Sequence, residues 1–163
     1  MQLFVIRHAI AEDPSPDRDD AARALTSGGR AKAIRAIRGM RALGVHFERV
    51  LTSPWSRASE TAQILSMIAR RAPVATELLT QKPGADLLAL VAASAEDTAV
   101  VGHEPWLGEL VAWLAFGDAK HGDALMIKKN GVVWLEGTPV PGGMQIRALL
   151  PPKMLRAAAE LDD

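Results

Sequence analysis

Gln2-Leu3-Phe4-Val5-Ile6, followed at once by Arg7-His8, is the stretch on which the reading of the fold turns. Its apolar residues are β-branched, aromatic or leucine and form a run too short for an amphipathic helix. They read as a buried strand, with the two basic residues marking where it leaves the core. Downstream, Glu12 to Asp20 is acidic, carries Pro14 and Pro16 and reads as an exposed loop. Thr26 then caps a helix in which Ala33, Ile34, Ile37 and Met40 recur at helical spacing, ending near Gly44. The same order returns at Arg49 to Thr52. There Ser53-Pro54 supplies a cap residue with proline at the first helical position, and Ala58, Thr61, Ala62, Leu65, Ile68 and Ala69 trace the stripe. It returns again at Thr98 to Val101, where Gly102-His103-Glu104-Pro105 leads into Leu107, Leu110, Val111 and Leu114. Short buried strand, polar residues, helix: this repeated order argues for parallel β-α units and an α/β fold.

The remaining segments fill out a mixed sheet. Val74 to Thr76 reads as a short strand and Ala85 to Ala93 as a helix. Ala124 to Ile127, Val132 to Leu135 and Gln145 to Leu149 read as strands, with Asn130-Gly131 as a hairpin turn between the first two. The alanine-rich end after Pro152 reads as a short terminal helix, and no internal repeat or linker interrupts the chain.

Composition narrows the possibilities. At 163 residues the chain fits one domain, residues 1–163, able to bury a core without disulfides or a structural metal. Hydrophobic residues at 48% and charged residues at 23% suit a soluble globular protein rather than a disordered or membrane-spanning one. Lysine plus arginine equals aspartate plus glutamate at 19 each, so the broad attraction that drives nucleic-acid or anionic-membrane binding is missing and neither partner is expected. The lack of cysteine excludes thiol catalysis, iron–sulfur clusters and thiolate zinc sites. Leu3 to Ile6 is too short for a signal peptide or a membrane span, and a cytoplasmic location is expected.

Ligands of open α/β sheets bind beyond the carboxyl ends of the strands, and there the sequence sets Arg7-His8, Arg57 and His103. Guanidinium forks and helix N-termini match the oxygens of a phosphate dianion. Positive neighbours disfavour a protonated imidazole, so His8 is expected to stay neutral and nucleophilic, able to form a covalent intermediate at phosphorus. His103-Glu104 opens like a zinc-protease helix, but Leu107 stands where the second histidine belongs, and no metal site is expected. Asp13, Asp17, Asp19 and Asp20 read as a solvated acidic run, Lys128-Lys129 as a solvated hairpin end, and His46 and His121 as surface residues. Trp55 and Trp106, each just after a motif, are candidates for core, rim or a wall of the site.

These residues resemble the histidine phosphatase superfamily, which includes the cofactor-dependent phosphoglycerate mutases. Arg7-His8-Ala9 is similar to its Arg-His-Gly signature, Ser53-Pro54 with Arg57-Ala58 and Thr61-Ala62 to its second motif, and Gly102-His103 to its third. Arg23, Leu25-Thr26 and Gly29 resemble the segment opening its first helix. Length and the Gly102-His103-Glu104-Pro105 form are most similar to the SixA-type phosphohistidine phosphatase branch. The resemblance implies a three-layer α/β/α fold with a central, mainly parallel mixed sheet, phosphoglycerate mutase-like. It implies a metal-independent, cofactor-free hydrolase with His8 as nucleophile, and with Arg7, Arg57 and His103 around the phosphoryl group. The implied substrate is a phosphohistidine-containing protein, a phosphotransfer domain or phosphocarrier. Arg23 and Glu77 are additional candidates, Glu77 as the nearest counterpart in chain order of the mutases' proton-donating glutamate, although Glu77-Leu78-Leu79-Thr80 does not match that motif. Ala9 in place of glycine adds a methyl group beside the nucleophile. A small-metabolite phosphomonoesterase or mutase and a non-catalytic phosphate-recognising module are the alternatives.

Overall fold

In the computed structural model, which describes residues 1–161, six strands form one sheet. They are β1 (Gln2–Arg7), β2 (Arg49–Thr52), β3 (Val74–Ala75), β4 (Thr98–Gly102), β5 (Val132–Gly137) and β6 (Met144–Leu150), in the order β3-β2-β4-β1-β5-β6. The pairs β3–β2, β2–β4 and β4–β1 are parallel, while β1–β5 and β5–β6 are antiparallel, which gives the mainly parallel mixed sheet expected. Helices α1 (Ser27–Ala42), α2 (Ser56–Leu65), α3 (Ala85–Ala92), α4 (Trp106–Phe116) and α5 (Pro152–Ala158) cover it.

Side chains of a strand alternate between faces, and the two cores follow this period. Phe4, Ile6, Val50 and Val101 pack with Ala33, Ile37 and Met40 of α1, Ala62 and Leu65 of α2 and Leu155 of α5. Leu3, Val5, Leu51 and Val100 face the other way, onto Leu87 and Val91 of α3 and Leu107, Leu110, Val111 and Leu114 of α4. The central strands are therefore apolar on both faces, which is why their sequences run apolar without alternation. Thr26 caps α1, its hydroxyl accepting the Gly29 N–H at 2.9 Å.

Several local expectations are corrected. Ala124 to Ile127 is not a strand: residues Ala119–Leu125 form a 3-10 helix packed on α4, and Asn130-Gly131 turns from the following segment into β5. The hairpin of the sheet instead joins β5 to β6, through Gly137 and Gly142 at positive φ. A continuous apolar stripe cannot separate these cases, because a segment clamped on a helix buries the same residues as a strand. Ser53-Pro54 does not begin α2, whose N-cap is Trp55. Ile68 and Ala69 lie beyond its last turn, where Ala69 bridges Phe47. In α1, Ile34 is exposed and Ala36 takes the buried place on that face.

The order of strands opens the crevice. β1 and β4 lie side by side and parallel, with Arg7 beside Gly102, yet α1 after β1 packs on one face and α4 after β4 on the other. The chain leaves neighbouring strands in opposite directions, and a gap forms between their carboxyl ends.

Candidate active site

His8 and His103 are the residues that follow β1 and β4, and the His8 N–H donates to the Gly102 carbonyl at 3.1 Å. Their rings therefore meet in the crevice, centroids 5.1 Å apart and tilted by 52°, and both are buried. His8 Nδ1 lies 2.8 Å from the Ala9 carbonyl oxygen. A carbonyl only accepts, so Nδ1 carries the proton and Nε2 holds the lone pair. Arg57, from the first turn of α2, donates to that lone pair through Nε at 3.3 Å. Burial is the main cause that lowers the His8 pKa, to about 4, partly opposed by the Ala9 bond and reinforced by the charges of Arg57, Arg7 and Lys129. The arginines singled out in the sequence thus contribute, but desolvation does more.

Arg57 is 3% exposed, and each of its three guanidinium nitrogens makes a hydrogen bond. Nη1 donates to the Asp20 carbonyl oxygen at 2.6 Å, Nη2 to Asp20 Oδ2 at 3.0 Å, and its carbon lies 4.7 Å from the centre of the Trp55 ring. Asp20 opens a single 3-10 turn, Asp20–Ala22, in the acidic loop, and also accepts from Arg23 Nε at 2.7 Å. Burial works against ionisation of Asp20, but the bond from Arg23 and the charge of Arg57 outweigh it and hold the carboxyl below its ordinary range. Arg23 reaches the cluster through this carboxylate and is further tied by Nη1 to the Glu12 carbonyl at 2.7 Å.

Arg7 is held from the opposite side. Its Nη1 donates to the Ile127 carbonyl at 2.9 Å, its N–H to the Gly131 carbonyl at 3.2 Å, and the Asn130 N–H donates to the Arg7 and His8 carbonyls. Asn130 adopts φ 67° to make that turn. Lys128 and Lys129 are exposed, in line with their solvated reading, but their neighbours Ile127, Asn130 and Gly131 form the floor beneath Arg7, and Lys129 is near enough to bear on His8.

His103 Nε2 lies 2.9 Å from Ser53 Oγ, which also accepts the Trp55 N–H at 3.2 Å. The Ser53 hydroxyl can donate to Nε2, and in that tautomer the His103 proton sits on Nδ1. That Nδ1 is buried without a hydrogen-bond partner among the described residues. Burial first, then the neighbouring His8 and Arg57, lower the His103 pKa to about 3, with Asp20 opposing and Arg23 adding. Trp55, centred 4.6 Å from His103, and Trp106, 6.3 Å from it and nearly perpendicular, form an aromatic wall.

The structure therefore brings Arg7, His8, Arg57 and His103 together, with Arg23 behind Asp20. Glu77 lies in a 3-10 turn, Glu77–Leu79, just after β3 and is exposed, with the Thr80 hydroxyl donating to its backbone carbonyl at 2.8 Å. The Ala9 methyl turns away from the crevice into the apolar cluster under α1 and α2, while its N–H donates to Thr61 Oγ1 at 3.0 Å. His46 and His121 are exposed. Sequence reasoning passed over Asp20, Ser53 and the 127–131 segment. Asp20 sits among other acids, with nothing local to distinguish it, and Ser53 carried a plausible alternative role as a cap. Among the described residues no group of three or more metal-binding side chains occurs. A neutral lone pair flanked by guanidinium groups and a buried imidazole N–H is an arrangement that can hold a tetrahedral dianion and attack it.

No family model matches the chain. An uncharacterized protein of Picosynechococcus sp. is 36% identical over 142 residues, covering 83% of this chain and 84% of that protein. Among solved structures, the protein histidine phosphatase SixA complexed with tungstate superposes with a TM-score of 0.78 at 24% identity, covering 95% of this chain and 99% of the other. The alpha-ribazole phosphatase of Shigella flexneri superposes with a TM-score of 0.74 at 16% identity, covering 93% and 97%. These superpositions establish the fold.

Proposed function

The chain belongs to one family with the Picosynechococcus protein and has the histidine phosphatase fold, and from that premise we propose that it is a phosphatase working through a phosphorylated His8. We infer further that its substrate is phosphohistidine on a signalling or phosphorelay protein, that it acts in the cytoplasm, and that residues 1–163 serve as one domain. Among the described residues no helix is long and apolar enough to cross a membrane. The observation that carries the reading is the His8 ring. Its proton is committed to the Ala9 carbonyl and its Nε2 lone pair is left facing Arg57.

In the first step, Nε2 forms a bond to phosphorus while the bond from phosphorus to the substrate's imidazole nitrogen breaks. The bonding pair leaves with that imidazole, already protonated on its remote nitrogen, so it departs neutral. Arg7, Arg57 and the Nδ1–H of His103 balance the charge on the phosphoryl oxygens, and no metal is required for that task. In the second step a water oxygen bonds to phosphorus, the Nε2–P bond breaks, and its pair returns to His8. The proton lost by water ends on the released phosphate.

The acids near the site favour a nitrogen leaving group. Asp20 is held ionised by two arginines and Glu77 is exposed in its own turn, so neither is set up to protonate an alkoxide. A phosphate ester would lose roughly 10²–10⁴-fold without such a donor, whereas a leaving imidazole has a conjugate acid of pKa about 6.5. The test is a panel of phosphohistidine protein, phosphoramidate and sugar phosphates. We expect kcat/KM for the first two to exceed that for the sugar phosphates by at least an order of magnitude, and comparable rates would overturn the substrate assignment.

A further inference from the structure

We propose that Glu104 is the positioning residue for Arg7, acting through the backbone of Ile127. The proposal rests on the reading in which Arg7 holds the phosphoryl group.

Glu104 follows His103 directly, at the entry to α4, and its carboxylate is bonded to backbone N–H groups rather than to a side chain of the crevice. Oε1 accepts the Ile127 N–H at 2.6 Å and Oε2 accepts the Gly108 N–H at 3.1 Å. One carboxylate thus ties the first turn of α4 to a segment that lies 23 residues further along the chain. The same residue, Ile127, offers its carbonyl to Arg7 Nη1 at 2.9 Å. Ile127 is anchored on its N–H side by a charged acceptor and presents its oxygen to the guanidinium. Charge-assisted bonds from a carboxylate to backbone N–H groups are short and directional, so the oxygen that Arg7 meets is fixed with respect to His103.

The segment leading to Ile127 has little freedom of its own. A methyl group on Gly122 would come within 2.6 Å of the Glu109 backbone nitrogen, and one on Gly108 within 2.5 Å of the Gly122 carbonyl oxygen, so the 3-10 helix lies directly on α4. Glu104 fastens the far end of this clamp. The arrangement also has an electrostatic side: burial lowers the pKa of Arg7, and the Glu104 carboxylate is the charge that opposes it. The buried Arg7 Nε has no hydrogen-bond partner among the described residues, which leaves the position of the guanidinium to the Ile127 contact and to Glu104.

A double-mutant cycle separates this role from a merely structural one. Four proteins are compared: wild type, Glu104→Gln, Arg7→Ala and the double variant. Each is measured for phosphoramidate turnover and, by calorimetry, for affinity toward inorganic phosphate. Misplacing a phosphate-binding group by a fraction of an ångström is expected to cost roughly 10–100-fold in kcat/KM in the wild-type background. It should weaken phosphate binding in parallel, and have an effect below twofold once Arg7 is alanine. Equal losses in both backgrounds, or no loss in the wild-type background, would overturn the proposal. Should Glu104→Gln not fold, Glu104→Asp keeps the charge but cannot span both N–H groups, and the same cycle is read from it. If wild type turns over neither phosphoramidate nor phosphohistidine, the functional reading fails, while the phosphate-binding cycle still decides the role of Glu104.

Discussion

His8 Nε2 and Arg57 define the chemistry at the scale of single residues, and three expectations follow from their surroundings. Rapid quench with labelled substrate should trap phosphate on His8 in an acid-labile, alkali-stable form, and His8→Ala should abolish both label and turnover. Label on any other residue would refute a His8 nucleophile. Arg57 points Nε at that nucleophile, so Arg57→Ala is expected to lose on the order of 10²–10³-fold in kcat, as for the loss of one oxyanion donor. Asp20 occupies both terminal nitrogens of Arg57, through its carbonyl and its carboxylate, and an incoming phosphoryl group competes with it. Asp20→Ala should therefore lower the inhibition constant of inorganic phosphate by about tenfold, the worth of one charge-assisted hydrogen bond. A catalytic proton donor at this position would show a fall in kcat instead. The pH profile separates enzyme from substrate. His8, with its pKa near 4, stays nucleophilic through the neutral range, so a decline in rate above pH about 6.5 reports deprotonation of the substrate's own leaving ring. Turnover that rises with pH across that range would contradict a phosphohistidine substrate.

Among the elements, helix α1 shows how closely the layers pack. Gly39 faces the α5 backbone, and a methyl group there would lie 1.7 Å from the Leu155 carbonyl oxygen, with no flexible side chain to yield. Gly39→Ala should cost about 1–3 kcal/mol in unfolding free energy, measured by denaturant titration, while activity per folded molecule stays unchanged because the contact lies away from the crevice residues. A neutral substitution would mean that α5 can shift freely on α1. The sequence signals for this element were good. Thr26 is the cap, and the buried residues Ala33, Ile37 and Met40 fall on the face their spacing indicates. Elsewhere the element-level signals were ambiguous for a physical reason. Ser53 followed by proline has the chemistry of a helix start, but its hydroxyl is taken by His103 and the Trp55 N–H, and α2 begins later. In the run from Ala124 to Ile127, Leu125 and Ile127 pack into the core beside α4, which places Ile127 under Arg7, while Ala124 and Met126 are exposed.

For the whole molecule, two histidines buried neutral couple stability to pH. In the unfolded chain each titrates near 6.5, whereas in the folded state the pKa values are about 4 for His8 and about 3 for His103. Between pH 6.5 and 4 the unfolded state binds up to two more protons, so stability falls as pH drops through this window, at up to about 3 kcal/mol per pH unit. Above pH 6.5 the slope fades, and it is nearly gone about one unit higher, where the unfolded histidines are also neutral. Denaturant midpoints measured from pH 7.5 to 5 should show this decline, and the variant His8→Asn with His103→Asn should flatten it; an unchanged slope would mean that other groups carry the acid sensitivity. At this scale the division between chain and fold is clear. The sequence by itself determined the class of fold, because short strands apolar throughout and helices with one apolar stripe can bury their surfaces only as a sheet covered on both sides. It also determined that Arg7, His8, Arg57 and His103 fall at strand ends and helix starts, since each directly follows an apolar run or its turn. Only the tertiary structure decided what brings them together. The order β3-β2-β4-β1-β5-β6 sets β1 beside β4 although 90 residues of chain separate Arg7, the end of β1, from Thr98, the start of β4. It also decided which acid of a polar loop pairs with Arg57, and that a backbone carbonyl of the 127–131 segment meets Arg7. The Arg7 contact joins residues distant in sequence through a backbone group that every residue carries, and Asp20 is one acid among several in its loop, so no pattern of side chains along the chain can announce either pairing.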